Sequence, residues 1–340
     1  MYKHILVPLD GSTLAEAVLP FVELLAKAGS AKVTLVTVGE HPADNMPPEP
    51  QGLPSSLEGG AHPGEGYRDQ TEYRVGLQAE SELLQRRPYL DQIVERIISY
   101  GKVYLNHVAR RLQSKGVETE VDVLLGRPAS QIADYAQEHS VDLVAMSTHG
   151  RGGLARWLYG SVANELRNSL QQPFLLIRSM EESSQASAEA REPLFLRVIV
   201  PLDGSPMAEQ ALPHAKELAA YLGLEVHLVR VVSQPMPAYM GPDAVEYYYD
   251  LDAELIKVAT NYLKNVESSL KQEGLRVTSR TFHGYAANNL VDYAKVLGQN
   301  LICMTTHGRT GLGRVFLGSV ADKVLQEAVV PVLMVRAKEQ

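Results

Sequence analysis

The 340-residue chain has a single cysteine, Cys303. A lone cysteine excludes an intrachain disulfide framework and any metal cluster built on cysteines alone. It lies in the apolar run LICM, where a thiol behaves as a small, inert, buried hydrophobe. No apolar run approaches the ~20 residues of a membrane span, so no membrane partner is expected. The opening MYKHILVPLD has no basic segment leading into a long apolar stretch, so no secretory signal is read and a cytoplasmic location is expected. Dense Lys/Arg runs are also missing and the formal net charge is -8, which argues against nucleic acid as a partner. No Walker loop (GxxxxGK with Ser or Thr), no GxGxxG after the first strand and no GxSxG elbow occurs. No catalytic dyad and no metal-ligand spacing is evident.

What the chain does have is 45% hydrophobic and 21% charged residues, enough apolar material for two ordinary cores. It also repeats itself. MSTHGRGGLARWLYGSVANEL, from Met146, returns as MTTHGRTGLGRVFLGSVADKV, from Met304, at an offset of 158. The same offset relates Tyr104-Leu105 to Tyr262-Leu263, Gly126 to Gly284 and Arg178 to Arg336. ILVPLDGS, from Ile5, returns as VIVPLDGS, from Val198, at an offset of 193. The offsets differ by 35, so the first half carries that many extra residues between its two blocks. They include HPADNMPPEPQGLPSSLEGGAHPGEG, a Pro/Gly-rich stretch read as an insertion near 42–75, either a plain loop or a functional lid. Two similar domains are expected, 1–180 and 196–340, joined by a polar linker at 181–195.

Within each half, short β-branched runs alternate with helical periods. The strands are HILVPL, KVTLVTV, ETEVDVLL, VDLVAM and PFLLIR in the first half. In the second they are LRVIVPL, EVHLVRVV, RVTSRTF, NLICMT and PVLMVR. Helices are read after Ser12, with Pro20 in the first turns or at a kink, over 94–112, after Gly126 and after Ser161. This alternation predicts βαβ units and an α/β fold of two similar doubly wound, five-stranded parallel sheets, Rossmann-like in outline. Ligands of such sheets lie at the carboxyl ends of strands, where strand order reverses. The repeated motifs fall there.

Gly150 and Gly160 bracket nine residues, as Gly308 and Gly318 do in the second copy, and Ser161 or Ser319 follows at a helix start. Glycine permits close backbone approach, and a helix N-terminus offers unpaired N–H groups to an anion, phosphate above all. Arg151 and Arg309 add positive charge. A plainer reading stands beside this one: Ser161 and Ser319 are good N-caps, and Asp10 and Asp203, each before Gly-Ser, suit a turn. His149 and His307 serve either as bases or as loop stabilisers, and Trp157 and Phe316 read as packing residues.

These residues resemble the universal stress proteins in tandem, two-domain, UspA-like form. The family's nucleotide pattern is G-x2-G-x9-G followed by Ser or Thr, after the fourth strand, with an aspartate after the first. Both copies here match except at the first glycine, where Ser147 and Thr305 stand. The resemblance implies an ATP- or AMP-binding stress regulator, with or without Mg2+ and without dedicated catalysis. Pro8, Asp10 and Val38 would hold the adenosine, with Met146 and Ser147 beside the ribose and Gly150, Gly160, Ser161 and Val162 on the phosphates. The second site would use Pro201, Asp203, Val231, Met304, Thr305, Gly308, Gly318, Ser319 and Val320. It also implies an internal pseudo-dimer joined through the last strand of each half, with a homodimer of the whole chain left open. The alternatives are a nucleotide-free interaction module, a slow ATPase, or a nucleotide-dependent transferase of the same fold group.

Overall fold

The structure, a computed structural model, describes residues 1–40, 69–147, 161–178, 194–233, 242–306 and 318–337. The first half runs β1 (His4–Pro8), a 3-10 turn (Ala15–Val18), α1 (Leu19–Gly29), β2 (Lys32–Gly39), α2 (Asp69–Gln113), β3 (Thr119–Leu125), α3 (Pro128–Glu138), β4 (Leu143–Ser147), α4 (Ser161–Ser169) and β5 (Phe174–Ile177). The second runs β6 (Arg197–Pro201), α5 (Pro206–Glu209), α6 (Ala211–Leu222), β7 (Glu225–Val232), α7 (Pro242–Gln272), β8 (Val277–His283), α8 (Ala286–Leu297), β9 (Asn300–Thr305), α9 (Ser319–Glu327) and β10 (Val332–Val335). All ten strands read from sequence appear. Pro20 sits in the first turn of α1, where its missing N–H costs nothing.

The strand order is β3-β2-β1-β4-β5-β10-β9-β6-β7-β8. This corrects one expectation. The halves do not keep two separate five-stranded sheets; they merge into a single ten-stranded sheet. Within each half every pairing is parallel, whereas β5 and β10 pair antiparallel, with Leu333 opposite Leu175 and Met334 opposite Phe174. An unpaired edge leaves a row of N–H and C=O groups unsatisfied, and the last strand of each half removes that edge from the other. The pseudo-dimer is therefore stitched through backbone hydrogen bonds.

The apolar core is shared in the same way. On one face α1, the end of α2 and α6 cover both halves, with Leu35, Leu105, Leu175, Leu218, Leu228 and Leu263 fully buried together. On the other, α3 and α4 lie with α8 and α9 over Leu6, Val144, Ile199 and Ile302. Phe21 meets Phe195 across the junction at 5.3 Å between ring centroids. Tyr2 Oη lies 3.1 Å from His214 Nδ1, a second link between the halves. Cys303 is fully buried, and burial pushes its thiol up to about 12, so it packs as a hydrophobe.

One boundary differs from the sequence reading. α2 begins at Asp69 and runs 45 residues, so the last part of the stretch set aside as insertion is helical. Residues 41–68 before it, positions 181–193 of the linker read at 181–195, and the loops at 148–160 and 307–317 lie outside the described residues. No helix among the described residues is long and apolar enough to cross a membrane.

Candidate functional site

Strand order reverses between β1 and β4 in the first half and between β6 and β9 in the second. Chains leave these neighbours in opposite directions, which opens a crevice at their carboxyl ends. Pro8, at the end of β1, and Met146 and Ser147, at the end of β4, stand at that crevice's edge, and Val38 stands near the end of β2. The second half places Pro201, Val231, Met304 and Thr305 likewise. Because β5 and β10 are antiparallel, the two crevices open at opposite edges of the sheet.

Asp10 lies just past β1 and caps a tight turn. Its Oδ1 accepts the Ser12 amide at 2.9 Å and the Ser12 hydroxyl at 2.6 Å. Ser12 Oγ in turn accepts the amide of Ala15 at 3.1 Å. Asp203 Oδ1 accepts the Ser205 amide at 2.9 Å, and Ser205 Oγ caps α5 by accepting the Ala208 amide at 3.1 Å. The intervening glycines sit at φ 83° and 84°, a left-handed conformation that favours glycine. The turn role read from sequence is thus present in both copies. It leaves the aspartates at the mouth of each crevice, Asp10 exposed and Asp203 half-buried.

Ser161 and Ser319 open α4 and α9, each nine residues long, with Val162 and Val320 next. Gly318 precedes α9 at φ -61° and ψ 144°, angles open to any residue. Its glycine identity is therefore not demanded by the backbone angle; what the position offers is the absence of a Cβ. The Gly318 amide donates to the Thr306 carbonyl at 2.9 Å, tying the helix start to the end of β9. Gly150, Arg151, Gly160, Gly308 and Arg309 lie outside the described residues, as do His149, His307, Trp157 and Phe316.

The substitution at the first glycine of the pattern has different surroundings in the two halves. Ser147 is buried, and its Oγ has no hydrogen-bond partner among the described residues. A buried hydroxyl in that state costs on the order of 1–3 kcal/mol. Thr305, in the matching place, is also buried but makes an interaction of its own.

Beside each aspartate turn stands a pair that sequence reading passed over. Tyr104 Oη, on α2, donates to Glu16 Oε1 at 3.3 Å, and Arg111 pairs with the same carboxylate. Tyr262 Oη, on α7, donates to Glu209 Oε1 at 2.6 Å, with the Arg230 guanidinium 4.9 Å from its ring centre. Burial first, then the neighbouring glutamate, pushes both phenols above their ordinary value, so each stays a donor. These pairs pin the long helix of each half to the element that follows the aspartate turn. The repeat held the signal, but Tyr104 recurs at an offset of 158 and Glu16 at 193, which hid the partnership.

A family profile described as the universal stress protein family matches residues 1–178 and 195–336. The chain is 34% identical over 146 residues to universal stress protein MJ0531 of Methanocaldococcus jannaschii, covering 43% of this chain and 84% of that one. It is 27% identical over 245 residues to universal stress protein Rv2005c of Mycobacterium tuberculosis, covering 69% and 76%. The crystal structure of a universal stress protein from Archaeoglobus fulgidus superposes with a TM-score of 0.62 over 99% of both chains at 18% identity, a likeness of fold. With two copies of the motif, of the strand order and of the family match in one polypeptide, the chain belongs to the universal stress protein family in its tandem, two-domain form.

Proposed function

We propose that this protein binds an adenine nucleotide, ATP or AMP, at each of its two crevices and acts as a stress-response regulator without dedicated catalysis. Family membership supports a stress-response role associated with nucleotides. The observation that carries the finer reading is convergence. In both halves, an aspartate turn and the N-terminus of a nine-residue helix flank one strand-order reversal. A helix start favours phosphate, and the carboxylate at the opposite lip suits the hydroxyls and amino groups of a nucleoside. The orphaned Ser147 hydroxyl fits the same ligand: a ribose oxygen at that lip supplies the partner it lacks. Among the described residues, no three His, Cys, Asp or Glu side chains cluster to hold a metal ion. Mg2+ commonly takes few protein ligands and several phosphate oxygens, so any Mg2+ in this proposal arrives with ATP.

The test is ligand-dependent stability. ATP or AMP at a hundred times its dissociation constant should stabilise the protein by about 2.7 kcal/mol per site. Well-folded protein, stripped of carried-over nucleotide and indifferent to both ligands, would instead be the nucleotide-free module. Turnover with ATP alone, or with ATP and an acceptor, would move the reading toward the ATPase or transferase.

A further inference from the structure

α4 starts at the first crevice with Ser161 and carries Arg167 in its last turn. Since β5 and β10 run antiparallel, that last turn lies toward the opposite edge of the sheet, where α9 begins. There the Arg167 guanidinium pairs with Asp322, in the first turn of α9. The side chains are 20% and 34% exposed, so water screens the pair only in part. Asp322 Oδ2 also accepts Gln326 Nε2 at 2.9 Å. Arg167, Thr306 and Arg336 line a cavity of about 10 Å3 at this junction, room for about one water. Thr306 follows Thr305 and holds the Gly318 amide. Arg167, a residue of the first half, thus stands in the wall behind the second site.

The electrostatics of that position are specific. A carboxylate in the first turn of α9 draws on the same positive helix end that would hold phosphate, and it repels phosphate directly. Arg167 offsets that charge. The first site has no such arrangement: at the offset of 158, Asn164 stands where Asp322 does, and Leu325 stands where Arg167 does. The first half needs no compensating arginine because its helix start carries no carboxylate there. Resting on the nucleotide reading, we propose that Arg167 is a positioning residue for the second nucleotide site, holding the Asp322 charge away from the phosphates. The second site therefore depends on the first half, and the first site does not depend on the second in this way.

Calorimetry with ATP on the full chain tests this in two backgrounds: Gly160→Val, which leaves the second site, and Gly318→Val, which leaves the first. In the first background Arg167→Gln should weaken ATP binding about five-fold, the scale of one partly screened charge near phosphate. Adding Asp322→Asn should restore the affinity, and Arg167→Lys should retain most of it. In the second background Arg167→Gln should leave affinity unchanged. A merely structural loss at Arg167 would lower the melting midpoint and weaken binding alike in both backgrounds. An effect equal in both backgrounds, no effect in either, or no rescue by Asp322→Asn overturns the inference alone. Failure of the unsubstituted protein to bind ATP overturns the nucleotide reading and the inference with it.

Discussion

Where α2 of the first half buries Ala109 against its sheet, α7 of the second buries Glu267 at the matching position. Glu267 is held by Lys264, Lys271 and the hydroxyl of Ser279; the first half has Asn106, Gln113 and Val121 in those places. A similar contrast appears on the other face. His4 meets Thr34 Oγ1 at 2.8 Å in the first half, while His227, at the Thr34 position, meets Tyr293 Oη at 2.8 Å in the second. Against these differences stand features that both halves keep: the aspartate turn, its left-handed glycine, the Tyr–Glu pair and a serine at the helix start. The polar fittings of the core thus differ between the halves while the fold around them is kept. The constellation around the crevices is the part that both halves share.

The largest expected effect comes from striking what the halves share. Leu175 is buried in the middle of the sheet opposite Leu333. Leu175→Asp should cost about 4 kcal/mol or more, because it places a carboxylate among apolar side chains. Denaturant melts should show both halves weakened in one transition. A second half that keeps its own unchanged transition would mean that the junction does not couple them.

Smaller, and confined to one half each, are the glycine changes. Gly160→Val should weaken nucleotide binding at the first site by about 2–4 kcal/mol, and Gly318→Val at the second by a similar amount, the scale of a few charge-assisted hydrogen bonds to phosphate. Titrations should show one site abolished and the other retained in each variant. Equal weakening at both sites would break the independence of the two glycine loops.

Acid separates the halves through Glu267. Burial alone would raise its carboxyl, but the hydrogen bonds from Lys264, Lys271 and Ser279 outweigh burial and hold it at about 2, against an ordinary 4.5. A depressed folded value means stability that is present above about pH 4.5 and lost as pH falls through about 2. With its lysine partners half exposed, the contribution is about 2 kcal/mol. Glu267→Gln should flatten that part of the stability curve between about pH 5 and about pH 2, and Ala109→Gly in the first half should not. An unchanged acid limb in Glu267→Gln would show the network to be idle.

The smallest effect belongs to the stretch that only the first half has. Deleting residues 43–66 removes mostly Pro, Gly and polar residues, and loop closure changes slowly with length. Stability should move by about 1 kcal/mol or less. A drop of many degrees in melting midpoint would mean that this stretch packs as structure.

The alternation of apolar runs made the strands legible in sequence, because parallel strands covered on both faces read as continuous β-branched segments. The pseudo-dimer was legible through the resemblance and through the need to satisfy an edge; that the edges fuse into one sheet followed only from the register of Leu175 with Leu333. The early start of α2 was missed because only 94–112 was read as helical and the stretch near 42–75 was set aside whole, although from Asp69 on it belongs to the helix. Of the candidate site, the aspartate turns and helix starts were legible because they are local. The Tyr–Glu pairs and the Arg167–Asp322 contact join distant segments, and the second has no counterpart in the repeat to announce it.

The most direct test of two adenine-nucleotide sites in one chain is calorimetric stoichiometry. Nucleotide-stripped protein titrated with ATP and with AMP, beside the double variant Gly160→Val with Gly318→Val, reads it in one experiment. The expected result is saturable binding at two sites per chain in the unsubstituted protein and none in the folded double variant. Unchanged affinity and stoichiometry in the double variant would contradict the phosphate role of the glycine loops. No binding by the well-folded unsubstituted protein would contradict nucleotide binding itself.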